Sequence, residues 1–135
     1  MTWNDLHKIM ITLIDSGKDE LICEQEIYPY LVYKNDRSSS GCTPLHFAAL
    51  DENPSSMKIL LKHGAKIVPN NAEETPLHWA CQAGYLSTIK TLMKHMSLID
   101  MLAEDCCGYT AADWAHQSGN LDAWMLVNSH IEQFQ

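Results

Sequence analysis

Near the N-terminus Trp3, Leu6, Ile9, Met10, Leu13 and Ile14 recur at spacings that fall on one helical face. This predicts a helix over about 3–15, started by Thr2 or Asn4 and ended near Gly17. Leu21, Ile22 and Ile27 predict a second helix that Pro29 ends or kinks, leaving Tyr30-Leu31-Val32-Tyr33 extended or in a short turn. The polar stretch 34–40 reads as a connecting loop. Further along, Met57, Leu60 and Leu61 stand three and four apart, and Ile89, Leu92 and Met93 repeat that spacing 32 residues later. Each triplet predicts an amphipathic helix. Asn53-Pro54 opens the first, and Gly64 closes it as a residue suited to the left-handed conformation. A last helix is predicted from 121 to about 133.

The apolar pattern repeats because the sequence does. Thr43-Pro44-Leu45-His46 returns as Thr75-Pro76-Leu77-His78, 32 residues on, and in weakened form as Thr110-Ala111-Ala112-Asp113 after another 35. The copies continue as Phe47-Ala48-Ala49, Trp79-Ala80-Cys81 and Trp114-Ala115-His116. Threonine before proline writes a helix start, with the hydroxyl at N-cap and proline at N1, where its missing N–H costs nothing. Thr110 and Asp113 form a near capping box instead. Small residues after the cap let this helix approach its neighbours, while Leu45, Phe47, Leu77, Trp79 and Trp114 are expected to fill the layer between helices.

A T-P-L-H-x-A motif at this period resembles the ankyrin repeat family, from about Ser38 to the C-terminus. The resemblance implies an all-α solenoid of helix-turn-helix units joined by short β-hairpin fingers. About four units are expected in a single domain: a divergent N-terminal capping unit over 1–37, repeats over 38–72 and 73–106, and a C-terminal capping repeat over 107–135. It also implies that the motif histidine and the threonine hydroxyl share a network fixing the turn. Three departures stand out. Glu73 replaces the turn glycine found as Gly41 and Gly108, Met96-Ser97 replaces Gly64-Ala65, and against a period near 33 the finger over 97–107 carries two extra residues. A distorted last hairpin is expected.

Composition narrows the function. The chain has 135 residues, 46% of them hydrophobic, and a formal net charge of −8. Its longest apolar runs fall far short of the roughly 20 residues a membrane span needs. The nine basic residues are scattered, which argues against nucleic acid and anionic lipid and favours a protein partner with a basic surface. Five cysteines with no C-x-x-C suit neither a disulfide framework nor a zinc site. Reduced thiols, and no readable targeting segment, place the chain by expectation in the cytoplasm, the nucleus or both.

No catalytic constellation emerges. His78 and Cys81 are three apart, but the fold places a capping histidine and a small packed residue there. His63 and His95 suit helix C-termini, and the six glycines are spread at turns instead of forming a phosphate loop. Cys106, Cys107 and His116 lack the fourth ligand of a metal site. No enzyme activity, cofactor or metal is expected.

In the ankyrin family, partners dock on finger tips and the exposed ends of inner helices, along a concave face. Carried over, that surface comprises Ser39, Ser40, Cys42, Leu50 and Asp51 from the second unit, and Asn71, Ala72, Glu74, Gln82 and Ala83 from the third. The fourth supplies Cys106, Cys107, Tyr109, Gln117 and Ser118, with Tyr109 the foremost anchor. The resemblance implies a monomeric scaffold or adaptor, or alternatively a stoichiometric inhibitor covering a partner's active or nuclear-import surface.

Overall fold

Thr43, Thr75 and Thr110 each hold extended backbone immediately before a helix, as an N-cap requires. A computed structural model describes residues 34, 35 and 37–133. The helices expected over 3–15 and around 21–27, with the segment 30–33, lie outside the described residues. Within them the chain runs α1 (Pro44–Ala48), α2 (Ser55–Lys62), α3 (Pro76–Ala83), α4 (Leu86–Met93), α5 (Leu98–Met101), α6 (Ala111–Gln117) and α7 (Leu121–Glu132).

The helices form two layers. Inner helices α1, α3 and α6 pack on one another in chain order, outer helices α2, α4 and α7 do the same, and each inner helix packs on the outer helix that follows it. The seam between layers is the apolar pattern read above. Leu45, Met57, Leu60, Leu77, Ile89 and Leu92 are fully buried, with Ala48, Ala80 and Ala115 allowing close approach. Burying each large aliphatic side chain contributes about 1.5–3 kcal/mol. The outer surface of α7 keeps Leu121, Trp124 and Met125 exposed.

Helix ends follow local chemistry. The α2 helix ends at His63 and Gly64, the latter with φ +85°. The Gly64 N–H donates to the Leu61 carbonyl and the Ala65 N–H to that of Leu60, a Schellman closure. The α6 helix ends the same way through Gly119 and Asn120. Asn120 then turns its Nδ2 amide to the Cys81 and Gln82 carbonyls at 3.1 and 2.7 Å, satisfying the last turn of α3.

Two expectations need correction. Among the described residues no strand forms, and the fingers are tight hydrogen-bonded turns where β-hairpins were expected. The extra residues of the last finger do not distort its tip. They form α5, started by a capping box in which the Ser97 hydroxyl accepts the Asp100 N–H at 3.2 Å and the Ser97 N–H donates to Asp100 Oδ2. Serine followed three residues later by aspartate supplies that start, so the insertion is absorbed upstream of the turn.

Candidate functional site

Three fingers are built on one plan. In each, a polar residue pairs its backbone with the residue four positions on: Ser38 N–H to the Cys42 carbonyl at 2.8 Å, Asn70 to Glu74 at 2.9 Å, Asp105 to Tyr109 at 2.8 Å. The third residue after it takes positive φ, at Gly41 (+79°), Glu73 (+61°) and Gly108 (+86°). The side chain of the leading residue braces the loop it starts. Ser38 Oγ accepts the Cys42 N–H, Asn70 Oδ1 accepts those of Ala72 and Glu74, and Asp105 Oδ1 accepts those of Cys107 and Tyr109. Desolvation raises the pKa of the Asp105 carboxyl, but the amide of Tyr109, the Trp114 indole and the amide of Cys107 together hold it below the usual carboxylate range.

Successive fingers are stitched edge to edge. The Asn71 N–H donates to the Ser40 carbonyl at 2.9 Å, Asn71 Nδ2 to that of Ser39 at 3.1 Å, and the Cys106 N–H to that of Ala72 at 3.0 Å. The Arg37 guanidinium donates to the Pro69 carbonyl.

The motif histidines tie fingers to inner helices. His46 Nδ1 accepts the Thr43 N–H at 3.1 Å, which makes Nε2 the protonated nitrogen, and Nε2–H donates to the Glu74 carbonyl of the next unit at 2.8 Å. His78 does the same, accepting from Thr75 and donating to the Tyr109 carbonyl at 2.9 Å. Burial depresses the His46 pKa, opposed in part by the bond to Glu74. The network implied by the resemblance is therefore present, and it reaches from one unit into the next.

Fingers and inner helices together enclose an open groove of about 670 Å³ between the first two described units. Ser39, Ser40, Cys42, Asn71, Ala72 and Glu74 of the expected surface line it. Cys42, however, is buried, with its sulfur 3.6 Å from Asn70 Nδ2, so its side chain is part of the finger's packing instead of an exposed contact. Glu74 is half-buried, and its Oε1 accepts Asn70 Nδ2 at 3.0 Å and Trp79 Nε1 at 3.1 Å. Leu50, Asp51, Gln82, Ala83, Gln117 and Ser118 stand near the C-terminal ends of the inner helices, outside that groove. Cys106, Cys107 and Tyr109 are exposed on the last finger.

Phe47 and Trp79, expected between the helices, also reach the groove, while Trp79 packs against the core as well. Both are half-buried and line the groove floor, meeting edge to face at 5.5 Å with an interplanar angle of 89°. Trp79 also meets the His46 ring at 5.2 Å. The signal was available: Leu45 and Ala48 lie on the buried face, and Phe47 between them must point elsewhere on a helix of 3.6 residues per turn.

Cys81 is fully buried, and burial pushes its thiol up to about 12. Both ring nitrogens of its neighbour His78 are engaged. Cys106 and Cys107 are free thiols with sulfurs 3.9 Å apart, and the hydrogen bond that the Cys106 thiol shares with Cys107 raises the Cys106 pKa. Among the described residues no three metal-ligating side chains converge, and no helix is long and apolar enough to cross a membrane.

None of the curated proteins compared with this chain matches it. The family described as Ankyrin repeats (3 copies) matches it over residues 10–95 and again over 66–133. With nearly the whole length covered by those two matches, the repeated capping motif and the two helical layers have one source: the chain belongs to the ankyrin repeat family.

Proposed function

We propose that the chain is a non-catalytic scaffold or adaptor that holds a partner protein on the face formed by its fingers and inner helices. Ankyrin repeats are generally protein–protein interaction modules. The observation that carries the reading is the groove of about 670 Å³, with an aromatic floor, a polar rim and walls held by interfinger hydrogen bonds. A preorganised surface of this kind loses little entropy on docking. Exposed Tyr109 and Leu50 extend it with apolar contact area. The net charge of −8 supports a partner with a basic surface and gives no footing for nucleic acid or anionic lipid. Free thiols suit a reducing compartment, the cytoplasm or the nucleus, and the domain acts as a monomer.

The same acidity supports a second reading, a stoichiometric inhibitor that covers a basic import or active surface of its partner. The test of the first reading is a variant with Tyr109→Ala, Gln82→Ala and Leu50→Ser, all at exposed positions. It should keep its helical circular dichroism and lose capture of a partner that the unaltered chain binds. Undiminished capture would reject this face. Adding the pure chain to the captured partner's own activity or import assay separates inhibition from tethering.

A further inference from the structure

We infer that the groove between the first two fingers receives an arginine side chain from a basic segment of the partner. This deepens the protein-binding reading above and rests on it.

Phe47 and Trp79 stand edge to face at 89° with centroids 5.5 Å apart. Both rings and the Glu74 carboxylate line the same open groove. Glu74 is held in place by two neutral donors, the Asn70 amide and the Trp79 indole, both on its Oε1. Its negative charge is thus fixed beside the rings without being neutralised by either donor. Arg37, close enough to perturb His46, turns its guanidinium to the Pro69 carbonyl. The remaining wall is small and neutral, with Ser39, Ser40, Asn71 and Ala72.

Aromatic rings that line a groove beside a fixed carboxylate are complementary to a cation on a slender stem. Arginine fits better than lysine. Its planar, weakly hydrated guanidinium stacks on an indole while its N–H groups reach a carboxylate and hydroxyls in the same plane, whereas an ammonium gives up a tightly bound hydration shell. The excess of acidic residues over the chain, 17 against nine basic, attracts the basic segment that would carry it.

The test uses a fluorescein-labelled peptide of glycine and serine carrying three arginines, with matched peptides bearing citrulline or lysine. Anisotropy titration should show the arginine peptide binding about tenfold more tightly than the citrulline one, the scale of a desolvated cation–π contact. Trp79→Leu, which keeps apolar bulk, and Glu74→Gln, which keeps an acceptor for both donors, should each weaken it several-fold. Glu132→Gln, an equal charge change on α7, should not. In proton–nitrogen correlation spectra the Trp79 indole N–H should shift with N-acetyl-arginine amide, and that of Trp114 should not.

Equal binding of the citrulline peptide, equal or tighter binding of the lysine peptide, or indifference to both groove variants would overturn the inference. If the arginine peptide fails to bind while the Tyr109, Gln82 and Leu50 variant still loses its captured partner, the arginine assignment falls and the protein-binding face stands.

Discussion

At the scale of single residues, His46 shows how a buried polar group is made to stabilise. Its ring is 0% exposed, and each nitrogen has one backbone partner, an N–H within its own turn and a carbonyl in the next unit. The motif alone showed that a histidine belongs at the third helical position, but the 28-residue reach of Nε2 depends on how units stack, which no local pattern contains. His46→Ala orphans both backbone groups and leaves a void, so it should cost about 2–4 kcal/mol in urea unfolding. The pH dependence follows from the same bonds. Burial lowers the folded pKa of His46, while the unfolded imidazole titrates near its ordinary value of about 6.5. The unfolded chain therefore takes up the proton first, so this contribution is full above about pH 6.5 and is lost as pH falls toward the folded pKa. Urea midpoints measured from pH 7.5 to 5 should decline, and His46→Ala should flatten the decline. Ser56 is the opposite case, a buried hydroxyl with no hydrogen-bond partner. Ser56→Ala should leave stability unchanged or raise it by up to about 1 kcal/mol in the same assay.

At the scale of elements, the fingers are where local sequence and observed structure part. Gly41 has positive φ, and an added Cβ would fall 2.4 Å from Asn71 Oδ1 and 2.9 Å from the Asn71 amide nitrogen. Gly41→Ala must therefore break the stitch between the first two fingers as well as strain its own turn, and a loss of about 2–3 kcal/mol in thermal or urea unfolding is expected. Glu73 shows the reverse. It occupies the equivalent left-handed position at φ +61° because the Asn70 bonds around it fix the turn. Glu73→Gly should relieve about 0.5–1 kcal/mol, read as a higher urea midpoint. Helix starts were legible, since threonine-proline and threonine-x-x-aspartate carry their capping chemistry in adjacent residues. The α5 turn was not, because an inserted Ser-x-x-Asp reads equally well as loop until its neighbours are in place. The partial exposure of Phe47 and Trp79 was written in their places between buried Leu45 and Ala48 and between Leu77 and Ala80, but a repeated aromatic in a helical motif disguised it as core. Asn120 gives a further test: Asn120→Ala removes both side-chain bonds to the end of α3 and should raise amide exchange in α6 and α7 more than in α1 and α2.

At the scale of the whole molecule, the main packing of each described helix pair is against the pairs beside it, so stability is close to a sum of units and the interfaces between them. A lesion in the middle should be felt on both sides. Leu77→Ala, at a fully buried site on α3, should cost about 2–5 kcal/mol and broaden the unfolding transition as the flanking units lose their shared neighbour. The family was legible because its caps recur at fixed spacing, whereas the lining of the groove was only partly so, since exposure on a stacked helix depends on the neighbour laid against it. One asymmetry in the stack has a chemical direction. His46 and His78 each present a donor forward, to a carbonyl 28 or 31 residues later. In the last described unit Asp113 takes the histidine's place, and its Oδ2 accepts the Thr110 N–H at 3.0 Å just as an imidazole Nδ1 would. A carboxylate does the backward half of the task and offers nothing forward. In the language of polymers, Asp113 is a monomer with one reactive end blocked. Grafting another ankyrin unit behind it would bring a backbone carbonyl up to a negative oxygen, and Asp113→His is the substitution that would restore the missing link.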